Sequence, residues 1–297
     1  MSTTRVLFVH ALSPLHAGTG QSAGAVDLAI ARDRATGLPY LPGSSLKGSL
    51  RDRSRGDGAP ELTQGLFGRE PPGGSEEPEV EHRGGALFGD AVLLLLPVRS
   101  VAGTFAWATS PYLLHRFIRD LKEVRKVDAP APVSLGAVEH CCVGPRSALK
   151  VGEKVIFEDL DLTPVSPNTA HPWISLLGEL IFPGDAVWQQ YLAERFCIVH
   201  DDLMSFLALH GTAVSARVAL DPDSRTVKNL WHEESLPPET ILQALIHADP
   251  PGKAGVEADD LLAYLGTLTK QALQLGGKAT VGRGRCRLVL VGKEGAR

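Results

Sequence analysis

The residues able to do chemistry gather in glycine-bearing stretches and on one arm near the C-terminal end. His16 and Asp27 lie within SPLHAGTGQSAGAVD, residues 13–27. A carboxylate can take a proton or hold a cation. By residue type alone, though, an aspartate in such a loop reads as satisfying turn amides. A lone histidine after a strand reads as structural, ordering the loop, with an acid role or a polar ligand contact as the functional alternatives. Glu233 and Glu234 follow Trp231 and His232. They read as a solvated charge pair, with a helper carboxylate as the alternative. SSLKGSLR places Ser44, Ser45, Lys47, Gly48 and Arg51 at the start of a helix. They are either a cap and a charged face, or a phosphate seat built from hydroxyls, cations and a helix N-terminus. In GRGR, Gly282 and Gly284 allow close backbone approach while Arg283 and Arg285 bring charge. The bland alternative is a flexible loop with solvated arginines.

These stretches need elements to position them. RVLFVHAL, residues 5–12, reads as a buried opening strand. VDLAIARD is extended, and SSLKGSLRDRSR is a helix with Ser44 or Ser45 as its cap. Residues 56–85, rich in Gly, Pro and Glu, are expected to form a surface insertion, partly mobile. GALFGDAVLLLLPVRS reads as a strand with its approach. SPYLLHRFIRDLKEV reads as a helix capped by Ser110 with Pro111 in its first turn. Residues 127–172 read as irregular with short strands. GDAVWQQYLAERF and DDLMSFLAL are helices. ARVALDPDSRTVKNLWHEE reads as two arms about an Asp-Pro-Asp-Ser turn, and LPP at 236–238 as a rigid turn. LPPETILQALIHA is a helix or a strand. ADDLLAYLGTLTKQALQL is the most helical stretch, and a glycine loop then feeds a last strand. Strands alternating with helices imply an α+β sheet covered by helices, of the ferredoxin-like or RRM kind.

Composition sets limits. Hydrophobic residues make up 43% of the 297 and charged residues 22%, as in a water-soluble globular protein. No apolar run reaches the length of a membrane span, and the N-terminus lacks a signal-peptide core. Cys141, Cys142, Cys197 and Cys286 show no CxxC spacing, so reduced cytosolic thiols are expected and structural zinc is not. The net charge of −4 argues mildly against a nucleic-acid binder, but Arg51, Arg53 and Arg55, and Arg283, Arg285 and Arg287, form local basic clusters. No P-loop pattern is present.

Several segments go further. TGLPYLPGSSLKGSLR and the C-terminal LGGKATVGRGRCRL resemble the two hallmarks of the RAMP superfamily of CRISPR proteins. VRSVAGTFAWATSPYLLHRF, DDLMSFLALH and NLWHEESLPPET are similar to the backbone subunit of the type III-B Cmr complex. The segments stand in that family's order from residue 5 to residue 290.

The resemblance implies one RAMP domain over residues 1–297: an RRM-like palm with inserted fingers and a thumb, here an arm at about 215–238. It implies copies stacked in a filament along a guide RNA, with other Cmr subunits, in the cytoplasm and with no membrane role. It implies cleavage of guide-paired target RNA at regular intervals with a divalent metal, expected to be transient Mg2+. The required aspartate of the first glycine loop maps onto Asp27. Family members often carry proline where Ala29 stands, a departure beside that position. His16, Glu233 and Glu234 become candidate helpers. Ser44, Ser45, Lys47, Gly48, Arg51, Gly282, Arg283, Gly284 and Arg285 become guide-binding candidates. Splayed RNA is cut by its own 2′-hydroxyl once geometry is in line. Asp27 would take that proton or hold the metal, and the sequence leaves both open. The rivals are a non-catalytic scaffold of the same complex and a guide-processing endoribonuclease.

Overall fold

A computed structural model describes residues 3–19, 26–68, 83–166, 168–249 and 256–292. The opening apolar run forms β1 (Thr4–Ala11), buried along its whole length. A strand apolar on both faces belongs inside a sheet with cover on each side. After the first glycine loop come β2 (Tyr40–Leu41), α1 (Gly43–Ser54), α2 (Pro60–Phe67), β3 (Ala86–Phe88) and β4 (Ala91–Arg99). Next are β5 (Phe105–Thr109), α3 (Pro111–Val124), β6 (His140–Val143), β7 (Lys150–Val151), β8 (Lys154–Phe157) and β9 (Leu160–Pro164). Then follow α4 (Ala170–Ile181), α5 (Ala186–Arg195), β10 (Phe196–Val199) and α6 (Asp201–His210). The chain ends with β11 (Ala213–Leu220), β12 (Val227–Ser235), β13 (Ile241–Ala248), α7 (Ala258–Leu268), β14 (Leu273–Gln274) and β15 (Arg285–Val291).

The centre of the large sheet runs β15-β1-β13-β4. β1 is antiparallel to both β13 and β15, and β13 is antiparallel to β4. α1 lies on the connection from β1 to β4, and α7 on the connection from β13 to β15. Two interlocked strand–helix–strand units in this order make a ferredoxin-like palm. The sheet continues beyond β4 through β5, β10, β6, β9, β8 and β7. Those strands, with α3 to α6, are inserted between β4 and β13. β11 and β12 leave the large sheet and pair with each other as a two-stranded ribbon.

Alternation along β1 divides the core. Leu7, Val9 and Ala11 pack with Leu46 and Leu50 of α1 and Leu261 and Leu265 of α7. Val6 and Phe8 pack with Leu114 and Phe117 of α3 and with Trp107. The Phe8 and Phe117 rings lie 5.9 Å apart. Among the described residues no helix is long and apolar enough to cross a membrane.

Several expectations need correction. α1 starts at Gly43, with Pro42 as N-cap and no side-chain cap, so Ser44 and Ser45 lie inside the first turn. Tertiary packing sets this start. The Gly43 amide donates to Asp90 Oδ1 at 2.8 Å, and a Cβ on Gly43 would stand 2.2 Å from the Phe88 carbonyl oxygen. The expected insertion at 56–85 contains α2, whose Leu66 and Phe67 are buried; residues 69–82 lie outside the described ones. α7 stops at Leu268 because Leu273 and Gln274 pair with Cys286 and Arg285 instead. α4 was not foreseen as a helix, although its buried Ala170, Trp173, Ile174, Leu177 and Ile181 recur at helical spacing. The LPPET segment leads into a strand, β13.

Phe117→Ala should destabilise the protein by about 3–5 kcal/mol, the usual loss for a fully buried phenylalanine. Urea unfolding of the purified chain measures it. The midpoint should fall with little change in slope.

Candidate functional site

The first glycine loop, the root of the ribbon and the second glycine loop meet at the C-terminal end of β1. Leu28 bridges Glu233 of β12 in parallel register. Its amide donates to the His232 carbonyl at 3.1 Å, and the Glu234 amide donates to the Leu28 carbonyl at 2.9 Å. Asp27, one residue earlier, therefore comes alongside His232. The His232 amide donates to Asp27 Oδ2 at 2.8 Å, and His232 Nδ1 stands 3.7 Å from the same oxygen. The Asp27 side chain is 55% exposed, so this carboxylate is held yet open to a ligand.

His16 is buried. Its Nδ1 lies 2.7 Å from the Glu234 carbonyl oxygen, and its own carbonyl accepts from the Gly277 amide at 2.9 Å. A Cβ on Gly18 would stand 2.6 Å from His16 Nε2 and one on Gly276 2.4 Å from its carbonyl oxygen, so glycine is required where the two loops close on the ring. These contacts fit the loop-ordering reading of His16.

Glu233 and Glu234 are both buried, contrary to the solvated-pair expectation. Glu234 Oε1 accepts from Arg32 Nη2 at 2.6 Å and Thr212 Oγ1 at 2.8 Å, and Oε2 accepts from the Ile30 amide at 3.1 Å. Burial pushes its carboxyl up, but Arg32 and these hydrogen bonds outweigh it and hold it below the ordinary range. Glu233 Oε1 accepts from the Trp231 indole at 2.8 Å and faces Lys278 Nζ at 2.9 Å. Its Oε2 faces Arg217 Nε at 3.4 Å and Arg283 Nη2 at 3.7 Å. Burial would raise this carboxyl too, but the Trp231 indole and the Lys278 and Arg283 cations bring it from 4.5 to about 2.

The other candidates divide. Arg283 is buried and turned inward: Nη1 donates to Ser235 Oγ at 3.0 Å while Nη2 faces Glu233. It braces the protein instead of presenting free charge. Gly282 and Gly284 both adopt a left-handed conformation, with φ of 78° each, and a Cβ on Gly284 would collide with the Leu275 carbonyl at 1.9 Å. Arg285 is exposed and shares an open depression with Gly48, Ser49 and Arg53, so α1 and the second glycine loop do meet. Arg51 donates to the Phe67 and Gly68 carbonyls, at 2.5 and 2.9 Å, and ties α1 to α2. Burial, then Arg51 and Arg83, pulls the Lys47 ammonium down from its ordinary value. Ser44 is exposed and Ser45 half-buried, but the Asp90 carboxylate already occupies the end of α1. That weakens an anion seat at this helix end.

Sequence reasoning missed Arg32, Asp90, Arg217 and Lys278. Lys278 was visible in GGKATVGRG. Arg217 faces Trp231 across the ribbon and so shares a face with Glu233, which a period-two reading of the two arms would have shown. The four cysteines are buried free thiols; burial pushes Cys286 up to about 12.

Comparison with known proteins adds the family. The model of the RAMP superfamily matches residues 8–287. The chain is 31% identical over 292 residues to the CRISPR system Cmr endoribonuclease Cmr4 of Pyrococcus furiosus, covering 95% of this chain and 94% of that protein. The crystal structure of oligomeric Cmr4 from Pyrococcus furiosus superposes with a TM-score of 0.73 at 25% identity, covering 97% of each chain. A chain of the type III-B Cmr-beta complex bound to cognate target RNA gives 0.71 at 19% identity, covering 97% of this chain and 96% of that one; it is similar in fold.

The two carboxylates make stability depend on pH. Both are held below their unfolded values, so their contribution is present above about pH 4.5 and is lost as pH falls, for Glu233 towards about 2. Glu233→Gln should flatten that acid-side loss in urea melts run at stepped pH. Arg32→Met should cost roughly 1.5–3 kcal/mol at neutral pH, the range for losing a hydrogen bond to a charged group. A loss under 0.5 kcal/mol, within the range of ordinary surface changes, would show that Glu234 needs no such partner.

Proposed function

The chain belongs to the RAMP superfamily, and from that membership we propose that it is the guide-RNA-binding backbone subunit of a type III-B CRISPR effector complex and an endoribonuclease that cuts guide-paired target RNA. One observation carries the reading. An exposed carboxylate, Asp27, is fixed where the first glycine loop meets the ribbon root, in a chain similar along nearly its whole length to a Cmr endoribonuclease. Its partners are guide RNA, target RNA, further copies in an open-ended head-to-tail stack and other Cmr subunits. The cytoplasm is the compartment this role assigns.

RNA carries its own nucleophile. A 2′-hydroxyl attacks the adjacent phosphorus when attacking and leaving oxygens are in line, so the protein's first task is geometry. The ribbon standing beside Asp27 suits that task, because it can hold a strand bent at the loop. Asp27 would take the 2′-hydroxyl proton, its carboxylate oriented by the His232 amide. It is equally placed to hold a divalent ion. Among the described residues no three His, Cys, Asp or Glu side chains gather as a metal cage. Mg2+ asks for less, since it takes one or two carboxylates and completes its shell with water and phosphate oxygens. Asp27 fits as the single protein ligand, and the ion would supply positive charge to the phosphate when bound. Arg285, Arg53 and Lys47 suit guide phosphates, which position the strand without reading bases.

Asp27→Asn in the assembled complex should leave guide and target affinity in place. Cleavage should fall by about 100-fold or more, the scale of a lost general base. A target with 2′-deoxy sugars at the cut positions should bind and stay intact, and ribose products should end in a cyclic phosphate. EDTA should stop cleavage, and Mg2+ should restore it. A fully active Asp27→Asn complex would leave a non-catalytic scaffold as the better reading.

A further inference from the structure

Among the described residues, Glu233 gathers more charged partners than Asp27 does. Its side chain is 3% exposed, and one carboxylate serves three cations drawn from two regions: Arg217 on the ribbon, and Lys278 and Arg283 on the second glycine loop. One negative charge against three positive leaves a surplus of two. A surplus like this is unfavourable in the free protein unless solvent or an anion answers it.

The three cations differ in what they have left to offer. Arg283 is buried and spends a second donor on Ser235. Lys278 is 33% exposed, and among the described residues its ammonium has Glu233 as its one ion-pair partner. Arg217 is 41% exposed and approaches Glu233 through Nε, at 3.4 Å, too long for a strong hydrogen bond. Its guanidinium fork has no other partner among the described residues. Two solvent-facing cations are thus fixed by one buried anion, next to the β12 residue whose amide holds Asp27.

We infer that Lys278 and Arg217 form a fork for an RNA phosphodiester beside Asp27, and that Glu233 positions this fork instead of exchanging protons. The inference rests on the RNA-binding reading above and adds residues to it. Glu233 Oε1 is taken by the Trp231 indole and the Lys278 ammonium, and Oε2, though it accepts no hydrogen bond, is buried, so neither oxygen is open to a substrate hydroxyl. Holding long side chains in place before the ligand arrives lowers the entropy lost on binding. The phosphate comes from the guide or from the target, and the two are separated below.

The test uses the assembled complex. A Lys278→Gln/Arg217→Gln double variant is titrated with guide RNA alone, and then, once loaded, with complementary target, each across a salt series. Each lost phosphate contact should flatten the slope of log affinity against log salt by about 0.7–0.9. Flattening in the guide series assigns the phosphate to the guide; flattening in the target series assigns it to the target. Lys278→Arg, which keeps the charge, should restore part of the slope and guards against simple misfolding. Glu233→Gln is measured in both backgrounds. Its effect on affinity should shrink towards zero once Lys278 and Arg217 are gone, as coupled groups behave. Unchanged slopes in both series overturn the fork, and an undiminished Glu233→Gln effect in the double variant overturns the positioning role. A wild-type complex that binds no RNA would instead sink the functional reading itself.

Discussion

Two adjacent carboxylates buried at the root of the ribbon set the terms for the rest of the site. A buried charge without partners costs far more than the fold can spare. Glu233 and Glu234 therefore fix their surroundings. Glu234 draws in the Ile30 amide, Arg32 and Thr212, while Glu233 draws in Trp231, Arg217, Lys278 and Arg283. Three loops far apart in sequence are thereby locked to one end of β12. Asp27 inherits its position from that lock, since its carboxylate meets His232 of the same strand through the backbone amide and the ring Nδ1.

Legibility in the sequence follows the range of the interactions. β1, α3 with its Ser110 cap and the Asp221–Ser224 turn are written locally, in apolar runs, cap residues and turn residues. The palm's class was legible from alternating elements. Its strand order was not, because β1 pairs with strands more than two hundred residues away. The start of α1 misled because two serines look like caps, whereas Asp90 and the Phe88 carbonyl, supplied by a distant turn, decide it. Arg283 misled in the same way: an arginine between glycines reads as solvated until a buried glutamate claims it. Asp27 was found by resemblance; its residue type alone pointed to an ordinary turn.

The palm and the inserted elements divide the labour. The ferredoxin-like core brings the ends of β1 and β15 together, and so makes the two glycine loops neighbours. The ribbon supplies the carboxylates that bind those loops into one surface. The bridge between them is His16 of the first loop, held by the Glu234 carbonyl of the ribbon and the Gly277 amide of the second loop and walled by glycines.

The same strand order has a consequence for synthesis. β1 is largely apolar on both faces and is made well before its two neighbours, β13 and β15, which lie more than two hundred residues further on. At about 5–20 residues per second, the ribosome needs on the order of ten seconds or more to deliver β13. Through that interval the nascent chain carries a largely apolar strand with two open edges. Folding of the palm is thus bound to be late and non-local, which is slow by topology and prone to intermolecular pairing. Until β13 and β15 arrive, the edges of β1 are the part of the chain most open to pairing with another chain.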